Sequence, residues 1–185
     1  MSAMEIDKQA PTTKLLWVDL EMTGLDIHDH VIIEVAAKVT DWNFTVLGSY
    51  EAVIHQSDEV LARSNSWAAE QHAKSGLTER VREQGRLEKT VVEEFAAFIK
   101  DHFAKEPAVL AGNSIHNDRQ FIKHWWPEVD ALLHYRMLDV SSWKLVMQGK
   151  YGVTFDKTDN HRALEDIEAS IAELQYYLDI AAKSS

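Results

Sequence analysis

The sequence predicts one α/β domain built on a mixed five-stranded sheet, with three antiparallel strands first and two short parallel strands after them. Apolar stretches typical of strands fill the first third of the chain, where a short Asp-Trp-Asn turn at residues 41–43 indicates an antiparallel hairpin. Beyond residue 57, amphipathic helical patterns alternate with short apolar strands. This alternation is typical of sheets that carry helices on their faces.

The N-terminal strands follow a segment without a repeating apolar pattern. We expect residues 1–13, which include Pro11, to form a flexible tail, and residues 14–180 to form the single domain. The first three strands are expected at about residues 14–20, 31–41 and 44–54.

Helical spacing dominates the rest of the chain. Ser57 is a candidate helix N-cap, Gly76 a candidate helix stop, and Asn117 another candidate N-cap. Apolar residues recur every three or four positions between Thr90 and Phe103, so this helix should face the core. The expected helices lie at about 67–74, 90–103, 117–126, 141–147 and 160–180, and the last two strands at 107–113 and 137–140.

Composition limits the possible classes. The 185 residues are 45% hydrophobic and 26% charged, as in an ordinary globular domain. The absence of cysteine excludes disulfides and thiolate metal sites. No apolar stretch is long enough to span a bilayer, and the N-terminal segment lacks a signal-sequence pattern, so we expect a cytoplasmic protein without membrane contact.

The formal net charge of −11 argues against binding long nucleic acid through a broad basic surface. It leaves room for a nucleic-acid enzyme whose acidic pocket is neutralised by bound metal ions. Such an enzyme would suit short substrates better than long ones.

The first candidate site is the pair Asp19 and Glu21, at the end of the first apolar run. Residues i and i+2 of a strand share a face, so the two carboxylates would project side by side and repel each other unless a cation lies between them. Oxygen ligands favour Mg²⁺ or Mn²⁺. Taken alone, such a pair is more often a solvated strand end.

Two further positions could complete this site. Asp118 follows the strand that ends at Gly112, where α/β sheets usually place ligands, although an aspartate there also complements a helix dipole. His161 precedes Asp166 by five residues at the start of the last helix. The aspartate could bind metal there while the histidine reaches toward a water molecule.

With these residues, the chain resembles the DEDD 3′→5′ exonucleases of the RNase H-like superfamily, histidine subclass. His161 occupies the position that defines the subclass, and Arg162 stands where the related subclass has tyrosine. The four acidic positions match Asp19, Glu21, Asp118 and Asp166. The resemblance implies an RNase H-like fold.

Four segments extend the resemblance to the oligoribonuclease family, over about residues 14–178. They are residues 17–25, 53–59, 112–115 and 134–142. This family implies hydrolysis of very short RNA, down to dinucleotides, to 5′ mononucleotides.

The resemblance also implies a two-metal mechanism with two Mg²⁺ or Mn²⁺ ions in each site. Asp19 is expected to bridge both ions, Glu21 and Asp166 to hold the ion on the side of the nucleophile, and Asp118 to complete the side of the leaving group. His161 would act as general base, because an imidazole accepts a proton near neutral pH.

The same resemblance implies which residues of this chain bind the substrate. Leu25 is expected to separate the two bases and Tyr135 to stack on one of them. Trp67 and His72 would line the 3′ nucleotide, although Trp67 could equally be a core residue. The residues around a 5′ phosphate would be Ser114, Arg136, Ser141 and Ser142, of which Arg136 can bind phosphate through two hydrogen bonds.

The family further implies a homodimer in which Tyr135 and Arg136 complete the site of the partner. The segment at residues 147–160 shows no clear correspondence to the family. Two alternatives stay open: a broader DEDD exonuclease acting on longer RNA or DNA 3′ ends, as proofreading subunits and RNase T do, and a silent binding module with the same fold.

Overall fold

The computed structural model describes Ile6, residues 11–156 and residues 163–183. One mixed sheet runs through this part of the chain, with the strand order β3-β2-β1-β4-β5. Its strands are β1 (Lys14–Met22), β2 (Ile32–Asp41), β3 (Val46–Val53), β4 (Ala108–Gly112) and β5 (Leu133–Asp139). The predicted α/β class and five-stranded mixed sheet are therefore confirmed.

The first three strands form the predicted antiparallel meander. β1 pairs with β2 along its whole length, and β2 pairs with β3. The turn between β2 and β3 is held by Asp41, whose Oδ1 accepts hydrogen bonds from the backbone N–H groups of Asn43 and Thr45, both at 2.9 Å. An aspartate in this position mimics a backbone turn, which is why the hairpin could be read from sequence.

β4 and β5 add the two parallel strands. β4 pairs with β1, so the carboxyl ends of these two strands meet at one edge. β5 begins at Leu133, four residues before its predicted start, because Leu133 and His134 are buried and prolong the strand. Sequence reasoning missed this extension because only residues 137–140 carry an uninterrupted strand pattern.

The helices of the described chain lie on both sides of the sheet. The prediction that Asn117 caps a helix is wrong. Asn117 is the second residue of that helix, and Ile115 occupies the N-cap position. The helix after β5 extends to Tyr151, past its predicted end at 147. The helices are α1 (Asp58–Leu61), α2 (Ser66–Ser75), α3 (Leu77–Glu83), α4 (Glu88–Phe103), α5 (His116–Trp125), α6 (Pro127–Asp130), α7 (Val140–Tyr151) and α8 (Ala163–Lys183).

The two faces of the sheet bury separate cores, and β1 serves both. Leu16, Val18 and Leu20 face the core that α4 and α5 cover, whereas Leu15 and Trp17 face the core under α7 and α8. Because strand side chains alternate, Asp19 and Glu21 continue the second row toward α8. The strand therefore aims both carboxylates at the helix that carries Asp166.

Three predictions concern residues that lie partly or wholly outside the described part of the chain. Of the predicted tail, residues 1–5 and 7–10 lie outside the described residues, whereas Thr13 donates a hydrogen bond from Oγ1 to Glu106 Oε2 at 2.6 Å. The last four residues of segment 147–160 and His161 also lie outside them.

No helix within residues 11–156 and 163–183 is long and apolar enough to cross a membrane.

Candidate active site

A pocket of about 360 Å³ opens where β1 ends. Three of the predicted metal ligands line it, Asp19 and Glu21 from β1 and Asp166 from the first turn of α8. The predicted substrate residues Leu25, Trp67 and His72 line the same pocket. Residues from three separate parts of the sequence thus line one pocket.

The loop after β1 carries Leu25 into this pocket. Thr23 fixes the loop, because its N–H donates to Val31 O at 3.0 Å and its Oγ1 accepts from Val31 N at 3.1 Å. A Cβ at Gly24 would lie 2.4 Å from the His30 imidazole, so any larger residue would displace that ring. Leu25 is 67% exposed, so the loop presents an apolar side chain to whatever enters.

Helix α2 supplies a second exposed apolar side chain to the pocket. Asn65 caps this helix by accepting a hydrogen bond from Ala68 N at 2.7 Å, and its own N–H donates to Thr23 O at 2.8 Å. The start of α2 is thereby joined to the loop that carries Leu25. Trp67 is 64% exposed at the pocket, so it is not a core residue.

His72 lies deeper and contacts a candidate metal ligand. Its Nε2 is 3.0 Å from Glu21 Oε2, and the imidazole is buried. Glu21 also pairs across the ladder with Glu34, a like-charge neighbour that is itself buried. Burial raises the pKa of Glu34, while the guanidinium of Arg80, 2.5 Å away, opposes that rise. Arg80 therefore limits the repulsion between the two glutamates.

Asp118 is buried beside the strand rather than in the pocket lining. Its Oδ1 accepts a hydrogen bond from Leu20 N at 2.9 Å, which fastens α5 to β1 between Asp19 and Glu21. The pKa of Asp118 is raised to about 7, mainly by burial and also by the negative charges of Glu21 and Asp139, and the Leu20 hydrogen bond opposes the rise. A buried carboxyl with two anionic neighbours is the environment that a bound cation stabilises.

The donor chemistry of these four carboxylates suits the divalent cation that the sequence resemblance implies. Their donor atoms are all oxygens, as Mg²⁺ and Mn²⁺ prefer. Among the described residues no three His, Asp or Glu side chains converge into a complete metal site. Glu21 instead contacts His72, and Asp118 contacts the β1 backbone.

Asp118→Asn is expected to stabilise the metal-free protein. Because folding raises the pKa of Asp118 from 3.8 to about 7, the free energy of unfolding should fall as the pH rises from about 4 to about 7, and stay low above. Asparagine keeps an oxygen acceptor for Leu20 N without the charge. Urea unfolding in EDTA at pH 8 should show a gain of roughly 2 to 4 kcal/mol, the upper value being the free energy that corresponds to the full pKa shift.

The exposed residue Asp101 provides the matched control, and Asp101→Asn should leave both stability and its pH dependence unchanged. Equal pH dependence in wild type and Asp118→Asn would contradict the burial argument.

The remaining predicted substrate residues lie elsewhere. Arg136 and Ser142 line a second pocket, of about 400 Å³. Tyr135 is 70% exposed on β5, with the Arg136 guanidinium carbon 5.0 Å from its ring centroid. Ser114 and Ser141 contact each other, with their hydroxyl oxygens 3.2 Å apart. Within one chain, none of Arg136, Ser142 and Tyr135 thus lines the carboxylate pocket.

Sequence reasoning missed three polar residues of the carboxylate pocket, Asn65, Asn113 and Ser170. For two of them, the position in the sequence could have indicated a place in the site. Asn113 directly follows β4, at the edge where the sheet places ligands. Ser170 lies four residues after Asp166 on α8, hence on the same helix face.

Comparison with known proteins places the chain in a family. The exonuclease family model RNase_T matches residues 16–174. An oligoribonuclease from Francisella tularensis subsp. novicida is 42% identical over 165 residues, which are 88% of this chain and 93% of that protein. An oligoribonuclease from Corynebacterium glutamicum is 47% identical over 170 residues, 89% of this chain and 78% of that protein.

Solved structures of other proteins share the fold of this chain. The zinc-bound form of an Escherichia coli exonuclease I complex with single-stranded DNA superposes with a TM-score of 0.61 at 17% identity, over 89% of this chain and 40% of that one. Exonuclease I from Methylocaldum szegediense gives 0.59 at 17% identity, over 87% of this chain and 39% of that one. This chain therefore spans less than half the length of those enzymes. Together, the matches show that the chain belongs to the DEDD 3′→5′ exonucleases, within the oligoribonuclease family, and is a nuclease.

Proposed function

We propose that this protein is a 3′→5′ exoribonuclease that hydrolyses very short RNA, down to dinucleotides, to 5′ mononucleotides. One observation carries the proposal: the half-buried carboxylates Asp19, Glu21 and Asp166 share a small pocket with the exposed apolar side chains of Leu25 and Trp67. Carboxylates can hold the metals that phosphodiester hydrolysis uses, and apolar side chains can pack on bases.

Two further properties support a short substrate. The pocket volume of about 360 Å³ lies at the small end of the range for small-molecule sites, about 300–1,000 Å³. The net charge of −11 disfavours a long phosphate backbone outside the pocket. Both properties favour the substrate class named in the oligoribonuclease relatives over the longer strands of a broader DEDD exonuclease.

We infer two Mg²⁺ or Mn²⁺ ions as cofactors, with Asp19 as the shared ligand, Glu21 and Asp166 on the nucleophile side and Asp118 on the leaving-group side. When bound, such ions neutralise the scissile phosphate and lower the pKa of the attacking water. His72 holds Glu21 through the contact at 3.0 Å, which limits the rotamers of that carboxylate. His161 is the proposed acceptor of the proton that the water loses.

Leu25→Ala is expected to weaken dinucleotide binding. The variant removes an exposed apolar side chain that we propose to lie between the two bases, and the loss should raise KM by about tenfold with a smaller change in kcat. Steady-state kinetics on an RNA dinucleotide measure the effect. Leu87→Ala is the matched control, because Leu87 is 74% exposed at the start of α4, outside the pocket. Equal KM values for Leu25→Ala and wild type would exclude a role for Leu25 in binding.

We further propose a homodimer in which Tyr135 and Arg136 act in the partner's site. The separation of Arg136 from the carboxylate pocket within one chain supports this arrangement. Exposed large apolar side chains also cluster on β5 and α7, where an interface could bury them. They are Tyr135, Met137, Leu145, Val146 and Tyr151.

Mixing two inactive variants tests the shared site. In a heterodimer of Asp19→Asn and Arg136→Ala chains, one site would combine an intact Asp19 with an intact Arg136 from the other chain. We expect the mixture, after subunit exchange, to regain about a quarter of the wild-type rate at random association. If Arg136 acts within its own chain, the mixture stays as inactive as its components.

The reaction itself is tested by product analysis. The wild-type protein with Mg²⁺ or Mn²⁺ should release 5′ mononucleotides from a short RNA labelled at its 3′ end, and EDTA should stop the release. Absence of mononucleotides with either metal would overturn the proposal and favour a silent binding module.

A further inference from the structure

A chain of buried and partly buried polar side chains extends from the lining of the carboxylate pocket into the protein. We call it the Asn113 network: Asn113, Ser141, Ser170, Glu173 and Tyr177. Glu173 is 1% exposed and Tyr177 is fully buried, although α8 otherwise packs through apolar residues. A buried carboxylate costs free energy unless hydrogen bonds satisfy it, so the partners of Glu173 matter.

The hydrogen bonds of this network have a defined direction. Glu173 accepts from Tyr177 Oη at 2.8 Å and from Asn113 Nδ2 at 3.2 Å. Asn113 Nδ2 also donates to Ser170 Oγ at 2.9 Å, and Ser170 Oγ in turn donates to Asp166 O at 2.8 Å. A carboxylate and an already donating hydroxyl can only accept here, so they hold the amide of Asn113 in one orientation.

That orientation determines what Ser141 can do. Asn113 Oδ1 must face Ser141, and it accepts a hydrogen bond from Ser141 Oγ at 3.2 Å. Because the Ser141 hydroxyl proton is used in this hydrogen bond, Ser141 Oγ can only accept from Ser114. It accepts from Ser114 N at 3.0 Å. In the 3.2 Å contact between the two hydroxyls, Ser114 Oγ is therefore the donor, and its proton can turn from Ser141 Oγ to a ligand oxygen.

Ser114 needs this support, since its backbone has φ +51°, a left-handed conformation that costs free energy in a residue other than glycine. Its N–H is bound by Ser141 Oγ and by Asp139 Oδ1, both at 3.0 Å. Asp139 Oδ1 also accepts from Ser141 N at 2.9 Å. The turn at Ser114 and the start of α7 thus form one unit that Asn113 connects to α8.

We propose that Glu173 is a positioning residue for the 5′ end of the substrate. It fixes the Asn113 amide, and through it Ser141 and the Ser114 turn, so that the Ser114 hydroxyl donates to a 5′ phosphate. This inference rests on the proposed function, because the phosphate site at Ser114 belongs to it. Through Ser170 the same network joins that turn to the helix segment that carries Asp166.

The test compares kcat/KM for an RNA dinucleotide with a 5′ phosphate and for the same dinucleotide with a 5′ hydroxyl. Glu173→Leu leaves an Asn113 N–H unpaired and frees the amide to rotate, so the ratio of the two values should fall about tenfold. Glu173→Gln keeps one oxygen acceptor for Asn113 and should keep the ratio within about twofold of wild type. A purely structural role would lower both kcat/KM values together and leave the ratio unchanged, which would overturn the proposal.

Adjacent tyrosines on α8 supply a matched pair that keeps the test decisive if Glu173→Leu fails to fold. Tyr177→Phe removes the donor to Glu173 and should lower the ratio about threefold, whereas Tyr176→Phe, at a 40% exposed position, should not change it. An unchanged ratio in Tyr177→Phe counts against the network. A wild-type enzyme that cleaves both dinucleotides equally well overturns this inference alone. If wild type cleaves neither, the proposed function fails first.

Discussion

Asp19→Asn is expected to lower kcat/KM on an RNA dinucleotide by about 1,000-fold or more, because it removes charge from the proposed ligand of both cations. Asp19 pairs with Ala36 of β2 near the end of β1, the central strand of the sheet, two residues past its last pair with β4. Asparagine is nearly isosteric, so the strand should form as before. Initial rates at saturating Mg²⁺ or Mn²⁺ measure the loss.

Asp101→Asn is the control for this variant, since it removes the same charge from an exposed position on α4. Its activity should equal that of wild type. An Asp19→Asn enzyme that keeps more than a tenth of wild-type activity would show that the pocket at the end of β1 is not the catalytic site.

His161→Ala is expected to lower kcat by roughly 100-fold to 10,000-fold, the usual contribution of a general base. His161 lies outside the described residues, so this prediction rests on its place in the sequence, two residues before α8 begins. Metal affinity should survive, because the proposed ligands remain. Calorimetric titration with Mn²⁺, alongside single-turnover rates, separates the two effects.

The matched control is His124→Ala, which removes an exposed imidazole from α5. Near-wild-type kcat in His161→Ala would refute the assigned base. Loss of Mn²⁺ binding in that variant would instead make His161 a metal ligand.

The part of the site on β1 could be predicted from sequence because strand geometry has a period of two. Leu15 and Trp17 bury one face, so the next residues on that face, Asp19 and Glu21, had to point the same way. The helix caps predicted at Ser57 and Gly76 also depend only on neighbouring residues, and both are confirmed. Ser57 Oγ accepts from Val60 N, and Gly76 has φ +76°.

What the sequence could not predict depends on contacts between distant segments. The short helix α3 follows Gly76 without a side-chain cap, and its Leu77 and Val81 are buried in a cluster with residues from β2 and β3. Trp67 could have been a core residue, and tertiary structure alone decides that it is exposed at the pocket. Glu173 and Tyr177 lie in a helix whose periodicity gives no hint that they reach Asn113.

The most direct test of the account compares kcat/KM for a 5′-phosphorylated RNA dinucleotide with kcat/KM for a 20-nucleotide RNA that ends in the same two 3′ residues. The small acidic pocket with Leu25 and Trp67 predicts a higher value for the dinucleotide. A higher value for the 20-nucleotide RNA would contradict it and assign the chain to the broader exonucleases.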